Sequence, residues 1–220
     1  MPEGPPPSLP RANSLAATVP FVSRVEESPK AYYDGEMKDR ADRALGDDRT
    51  DRVRTFTEHL RATEAQTLLE VGCGAGRDGL ILSESGCAYI GIDLSPVAVQ
   101  TCRDTGLNAV EASAIDLPFV DNSFDAAWSM STLMHLPGDG FTRAAHELGR
   151  VVRPGGTVEI GVWGHTTNRE WTSPDGRYFN HRSDEQFQRD LQVLGDVVAF
   201  DTWNWFGDGG HYQWARVVTR

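Results

Sequence analysis

Cysteine is scarce in this chain, with only Cys73, Cys87 and Cys102 among 220 residues. Three scattered thiols make neither a disulfide framework nor a Cys-x-x-Cys metal pair, which sets aside a disulfide-stapled fold and leaves no metal site expected. Cys73 is read as a small residue in a tight turn rather than a reactive thiol. Long apolar runs are missing too, and no stretch approaches the roughly 18 residues of a membrane span. The N-terminus lacks the basic and apolar regions of a secretory signal. A cytoplasmic protein with no membrane partner is the expectation. Basic clusters are also absent: 21 Lys and Arg stand against 32 Asp and Glu, a formal net charge of −11. Nucleic-acid backbones are held by clustered cations that displace counterions. No nucleic-acid partner is therefore expected, and a small neutral or cationic substrate suits the charge better. Oligomeric state is not legible.

What is present fits one domain with trimmings. Residues 1–22 hold most of the prolines, including Pro5-Pro6-Pro7, and read as a flexible tail. Residues 23–220 read as a single domain. Within it, residues 23–65 are charged and helix-compatible, with Phe56 and Leu60 at helical spacing. From Thr67 onward short apolar runs alternate with helix-like stretches. The strands are expected at 67–71, 88–92, 109–110, 124–130 and 157–163, with helices at 77–85, 96–105 and 140–152. Such alternation implies right-handed crossovers and a mainly parallel sheet covered on both faces. Ser95 is a plausible N-cap with Pro96 in the first helical position, and Pro154-Gly155-Gly156 is expected to stop the helix before it. A further helix over 183–194, capped by Ser183, precedes strands at 197–206 and 212–218. A glycine turn joins these two strands, which makes them an antiparallel hairpin.

The most informative stretch is Leu68-Leu69-Glu70-Val71-Gly72-Cys73-Gly74-Ala75-Gly76-Arg77. A buried strand runs into three alternating glycines and then a helix. Glycine permits the sharp turn and lets a ligand approach the backbone, while the helix start offers unpaired N–H groups. The dinucleotide fingerprint needs a third glycine or alanine five positions after the first, where this chain has Arg77, and that weakens an NAD or FAD site. The next strand ends Gly91-Ile92-Asp93-Leu94-Ser95. An acid at that tip, about twenty residues past the turn, is placed to accept the ribose hydroxyls of an adenosine.

Together with Leu117-Pro118-Phe119-Val120-Asp121-Asn122-Ser123-Phe124-Asp125 and Glu147-Leu148-Gly149-Arg150-Val151-Val152-Arg153-Pro154-Gly155-Gly156, these segments resemble the class I S-adenosylmethionine-dependent methyltransferases, of the methyltransferase-11 type. The resemblance implies a Rossmann-like α/β fold with a mainly parallel seven-stranded sheet, a C-terminal antiparallel hairpin and helices on both faces. It implies S-adenosyl-L-methionine as cofactor and methyl transfer to a small-molecule oxygen or nitrogen. A tRNA-base methyltransferase and a non-catalytic cofactor-binding regulator are the alternatives. By the same likeness Gly72, Gly74 and Gly76 pass close to the methionine and ribose, Glu70 lies near the amino group, Asp93 holds the ribose and Leu94 packs on the adenine. Ala114 and Ile115 border the adenine edge. Ser113 stands where the family usually has an aspartate, so its hydroxyl, or Asp116, would take the adenine amino group. The Phe124-Asp125 pair reads as structural. Residues 23–65 would form a helical lid, with Tyr32 or Tyr33 reaching the methionine carboxylate.

Ligands of open α/β sheets sit at the carboxyl ends of the strands. There the fourth strand ends at Ser129-Met130-Ser131, with Ser129 on the cofactor side, and continues to Met134-His135-Leu136. The fifth ends at Val162-Trp163-Gly164-His165. Met134, Trp163, His165, Tyr178, Trp205 and His211 are expected to make an aromatic-walled mouth for the substrate, as small-molecule sites tend to have. His135 is the first choice for a base, since similar family members place a histidine there.

Overall fold

Four of the five residues of strand β1 (Thr67–Val71) are buried, because it is the inner strand of a sheet covered on both faces. In the computed structural model, which describes residues 45–205 and 210–220, β1 is flanked in parallel by β2 (Ala88–Asp93) and β4 (Phe124–Met130). Outward from β2 lies β3 (Ala109–Glu111), and outward from β4 lies β5 (Val152–Gly164), both parallel. Two antiparallel strands complete the seven, giving the order β3-β2-β1-β4-β5-β9-β8. These are β8 (Gly195–Trp205) and β9 (Gly210–Thr219). The mixed, mostly parallel sheet with its terminal hairpin is the fold expected from the sequence. The tail, Tyr32 and Tyr33 lie outside the described residues, as does the start of the expected lid.

Alternate side chains of β1 feed two cores. Leu69 and Val71 join Phe124, Val158, Ile160 and Phe187 on one face, which α4 (Gly140–Val151) and α5 (Asp184–Leu191) cover. Leu68 joins Phe56, Leu82, Val99 and Trp128 on the other, under α1 (Asp47–Ala62), α2 (Arg77–Ser83) and α3 (Pro96–Asp104). Phe56 stacks on Trp128 at 5.2 Å between centroids, so α1 is fixed to the sheet by the apolar pair at helical spacing. Ser95 caps α3 by accepting from the Ala98 N–H at 3.0 Å, and Ser183 caps α5 through the Gln186 N–H at 3.3 Å.

Two features differ from expectation. Pro154-Gly155-Gly156 does not separate helix from strand. Helix α4 ends at Val151, and β5 runs on through the Pro-Gly-Gly with a register shift opposite Phe124 and Ala126. Proline is tolerated at such an irregular strand entrance. A second, two-stranded sheet also exists, made of β6 (Arg169–Thr172) and β7 (Tyr178–His181). All four residues of β6 are exposed, so they carry none of the apolar alternation by which a strand is read.

Candidate active site

Gly72, Gly74 and Gly76 all lie in the left-handed region, with φ of 82°, 51° and 78°, where a side chain is strained. At Gly72 space forbids one as well, since a Cβ would fall 2.0 Å from Thr132 Oγ1. At Gly74 nothing lies within 4 Å of that position, so the turn has an open side there. The N–H groups of Gly72 and Cys73 both donate to the Ile92 carbonyl, at 2.8 and 2.9 Å, holding the turn against β2. The Gly74 N–H then donates to Asp93 Oδ2 at 2.9 Å, while Asp93 Oδ1 accepts from the Ser95 N–H at 2.9 Å. A carboxylate accepts about four hydrogen bonds, so this acid is oriented by the backbone while its carboxylate retains capacity. Leu94 beside it is half-buried.

Glu70 points into the core side of the turn. It is 3% exposed and accepts from the Tyr89 hydroxyl. Burial and the nearby Asp78 push its carboxyl well above the usual range, against the opposing pull of Tyr89 and Arg49. Ser113 and Ala114 are buried and Ile115 partly so, and the Ser113 hydroxyl accepts from the Ile115 N–H at 3.3 Å. Asp116 is exposed.

The remaining motifs are structural ties. Glu147 accepts from the Leu117 N–H at 2.7 Å and from Arg150, which in turn donates to the Leu117 and Phe119 carbonyls at 2.9 and 2.7 Å. The Leu117-Pro118-Phe119 loop is thus clamped by α4. Asp125 accepts from the Gln66 and Thr67 N–H groups at 2.7 and 2.9 Å and from Arg153 at 2.6 Å. Burial raises its carboxyl, but these bonds outweigh that and hold it below the usual range.

At the end of β4, Ser129 is buried and donates to the Val71 carbonyl at 3.0 Å. Ser131 has φ of 56°, and such backbone strain tends to gather at functional sites. Its hydroxyl sits 3.0 Å from the Tyr212 hydroxyl. Into this corner α1 sends Arg49, whose Nε donates to Asp78 Oδ2 at 2.8 Å and whose Nη1 lies 3.5 Å from both Ser131 Oγ and Tyr212 OH. The Trp128 indole N–H shares Asp78 Oδ2 at 2.8 Å. Sequence reading missed Arg49, Asp78 and Tyr212. Only Asp78 carried a signal, as an acid in the first turn after the glycines.

The expected substrate residues divide. His135 and Tyr178 are brought together, with His135 Nδ1 2.8 Å from the Tyr178 carbonyl. Burial, then Glu170, pushes the Tyr178 phenol up to about 12. The His165 N–H donates to the Arg182 carbonyl at 3.0 Å, which puts the end of β5 beside β7. Trp163 packs edge-on to Tyr212 at 5.5 Å. Met134 is 2% exposed and belongs to the core. His211 pairs in register with Gly164 and its Nε2 lies 2.7 Å from Asp184 Oδ1. The Trp205 backbone closes the β8–β9 pairing, and its side chain lies outside the described residues. Among the described residues no cluster of three or more His, Cys, Asp or Glu is arranged to hold a metal ion, and no helix is long and apolar enough to cross a membrane.

Comparison with known proteins agrees with this geometry. Residues 69–160 match the model of a methyltransferase domain, of the methyltransferase-11 type. A tRNA (carboxymethyluridine(34)-5-O)-methyltransferase of Arabidopsis thaliana is 39% identical over 113 residues, 51% of this chain and 27% of that protein. The chloroplastic tocopherol O-methyltransferase of the same plant is 35% identical over 120 residues, 50% of this chain and 33% of that one. The match therefore spans about a third or less of these relatives. The crystal structure of Burkholderia thailandensis 1,6-didemethyltoxoflavin-N1-methyltransferase, with its substrate and S-adenosylhomocysteine bound, superposes with a TM-score of 0.70 at 20% identity. It covers 96% of this chain and 93% of that one. By its fold and by the sequence of residues 69–160, the chain belongs to the class I S-adenosylmethionine-dependent methyltransferases.

Proposed function

We propose that this chain transfers a methyl group from S-adenosylmethionine to a small-molecule acceptor by in-line displacement. The observation that carries the reading is the coupling of an open glycine turn to Asp93 through the Gly74 N–H. Bound there, the cofactor supplies an electrophilic methyl group on a good leaving group. Asp93 takes the ribose hydroxyls and the turn admits the methionine, with Glu70 toward the amino group. Leu94 packs on the adenine, Ser113, Ala114 and Ile115 border it, and Ser129 lines the cofactor side of β4. Arg49, with two donors on Asp78 and Nη1 directed at the Ser131 corner, is the cation for the methionine carboxylate, and Tyr33 is its partner from the lid. Residues 23–65 serve as that lid.

Acceleration of such a transfer rests on alignment in a dry pocket. Where the acceptor holds a proton, a base is needed. A carbonyl only accepts hydrogen bonds, so His135 Nδ1 facing the Tyr178 carbonyl carries the ring proton. In the neutral ring that puts the lone pair on Nε2, the state a base requires. The acceptor's proton passes to that nitrogen as the methyl group is taken up. Met134, Trp163, His165, Tyr178, Trp205 and His211 shape the mouth.

Calorimetric titration with S-adenosylhomocysteine and with NAD tests the cofactor. Binding of the first alone is expected, and binding of NAD alone overturns the reading. A second reading, methylation of a tRNA base, is favoured by the 39% identical relative and opposed by the net charge of −11. Transfer of labelled methyl to bulk tRNA but not to small molecules would decide for it.

A further inference from the structure

The β6–β7 hairpin lies beside the ends of β4 and β5, yet neither the glycine turn nor Asp93 accounts for it. It touches the 3-10 turn Leu133–His135 through His135 and Tyr178, and the end of β5 through His165 and Arg182. Register pairs Arg169 with His181 and Trp171 with Phe179, so these four share one face of the hairpin. Trp171 stacks on Phe179 with centroids 4.8 Å apart and planes 13° from parallel. Phe179 meets His135 at 4.8 Å, and His181 stands edge-on to Phe179 at 5.6 Å.

Two features of this face are unexplained by folding. Trp171 is 40% exposed, although its ring is among the largest apolar groups of the chain. His181, by contrast, is 7% exposed, and its Nε2 is buried with no hydrogen-bond partner. The proton on that ring can be placed. Arg169 Nη2 lies 3.4 Å from His181 Nδ1, and a guanidinium can only donate. Nδ1 must accept, so in the neutral ring the proton sits on Nε2. Burial, then the charges of Arg169, His165 and His135, lowers the imidazole to about 4, which keeps it neutral near pH 7. The face thus presents an open aromatic ring and, beside it, a buried N–H that lacks an acceptor. Buried donors in native proteins are nearly always satisfied, and an acceptor from outside the chain would satisfy this one.

We propose that the β6–β7 hairpin is the element that recognises the methyl acceptor, and that the acceptor is a planar aromatic or heteroaromatic small molecule bearing a carbonyl oxygen or ring nitrogen. Its ring stacks on Trp171 and its lone pair receives the His181 Nε2–H. Arg169, on the same face, adds positive potential that favours an electron-rich acceptor atom. This rests on the reading of methyl transfer to a small molecule and narrows its substrate class.

The test uses the full chain saturated with S-adenosylhomocysteine and saturation-transfer NMR. The flat probes are 4-hydroxyquinolin-2(1H)-one and 2,3-dihydroxybenzaldehyde, with cyclohexane-1,2-diol as the non-aromatic control and bulk tRNA as the macromolecular one. At least one flat probe is expected to bind and the diol to give no signal. His181→Phe should weaken that probe about 10-fold, the loss of one well-made hydrogen bond. His181→Gln, which retains an N–H donor, should recover part of the loss, and Trp171→Ala should weaken the probe by a similar factor while Trp171→Phe keeps it. His181→Phe should leave the affinity for S-adenosylhomocysteine and the Tm undiminished, because it removes a donor that lacks an acceptor. Nitrogen-15 spectra of the imidazole should place the proton on Nε2. The proposal is overturned if S-adenosylhomocysteine binds but neither flat probe does, if the diol binds equally, if tRNA alone binds, if both variants hold the probe like the parent, or if the proton is on Nδ1. Failure of S-adenosylhomocysteine itself to bind removes the cofactor reading, and this one with it.

Discussion

The Gly74 N–H donates to Asp93 Oδ2 at 2.9 Å, so the turn after β1 and the tip of β2 behave as one unit. Replacing Asp93 with alanine removes both the ribose acceptor and the anchor of the turn. Hydrogen bonds to a charged group contribute about 1.5–3 kcal/mol each. Affinity for S-adenosylhomocysteine should fall about 10- to 100-fold in calorimetric titration, with little change in far-UV circular dichroism. An unaltered dissociation constant would remove Asp93 from the site.

Gly72 is constrained twice, by its φ of 82° and by Thr132 at 2.0 Å from any Cβ. Gly72→Ala should therefore cost about 3 kcal/mol, the sum of left-handed strain and overpacking. Urea denaturation measures it. Adding Thr132→Ala should restore part of the loss, because the Oγ1 and Cγ2 contacts disappear while the backbone strain remains. Equal stability of the single and double variants would show that packing against Thr132 is immaterial.

How much of this was legible in the sequence depends on the range of each contact. The glycine turn, Asp93, Ser95 and Ser183 are local signals, since backbone dihedrals and caps are set within a few residues. The strand order followed from crossover handedness. The β6–β7 hairpin was not readable, because its exposed first strand has no apolar alternation. Arg49 was invisible for another reason: its partners Asp78, Ser131 and Tyr212 lie 29, 82 and 163 positions away. No periodicity encodes such a meeting. His181 was passed over because neither the fold nor its neighbours in sequence reveal that its ring ends up buried.

Asp78 is 5% exposed and joined to both Arg49 and the Trp128 indole. Removing one member of a buried ion pair strands the other, which typically costs about 3–5 kcal/mol. Asp78→Ala should destabilise the chain on that scale, as should Arg49→Ala. The double variant should lose less than the sum, giving a coupling above about 1 kcal/mol in chemical denaturation. Additive losses would mean that the pair does not act as one.

Acidification should expose His181. Its folded ring protonates near 4, against an ordinary 6.5. Between those values the unfolded chain binds a proton that the folded chain refuses, so stability is full above about pH 6.5 and declines as pH falls towards 4. Burial and Arg216 lower His59 as well, adding to the slope in the same direction. His181→Phe should flatten the fall in unfolding free energy across this window. A slope identical to the parent's would assign the effect elsewhere.

Arg49 reaches Asp78 from α1, a helix that ends before the first strand begins. The residues matched by the methyltransferase domain start at 69, so a protein trimmed to that match would leave a carboxylate stranded beneath the cofactor turn without its counter-charge. The working boundary of the domain is thus set by electrostatics rather than by motif. Grafts or truncations that respect it must carry the segment from residue 47 onward.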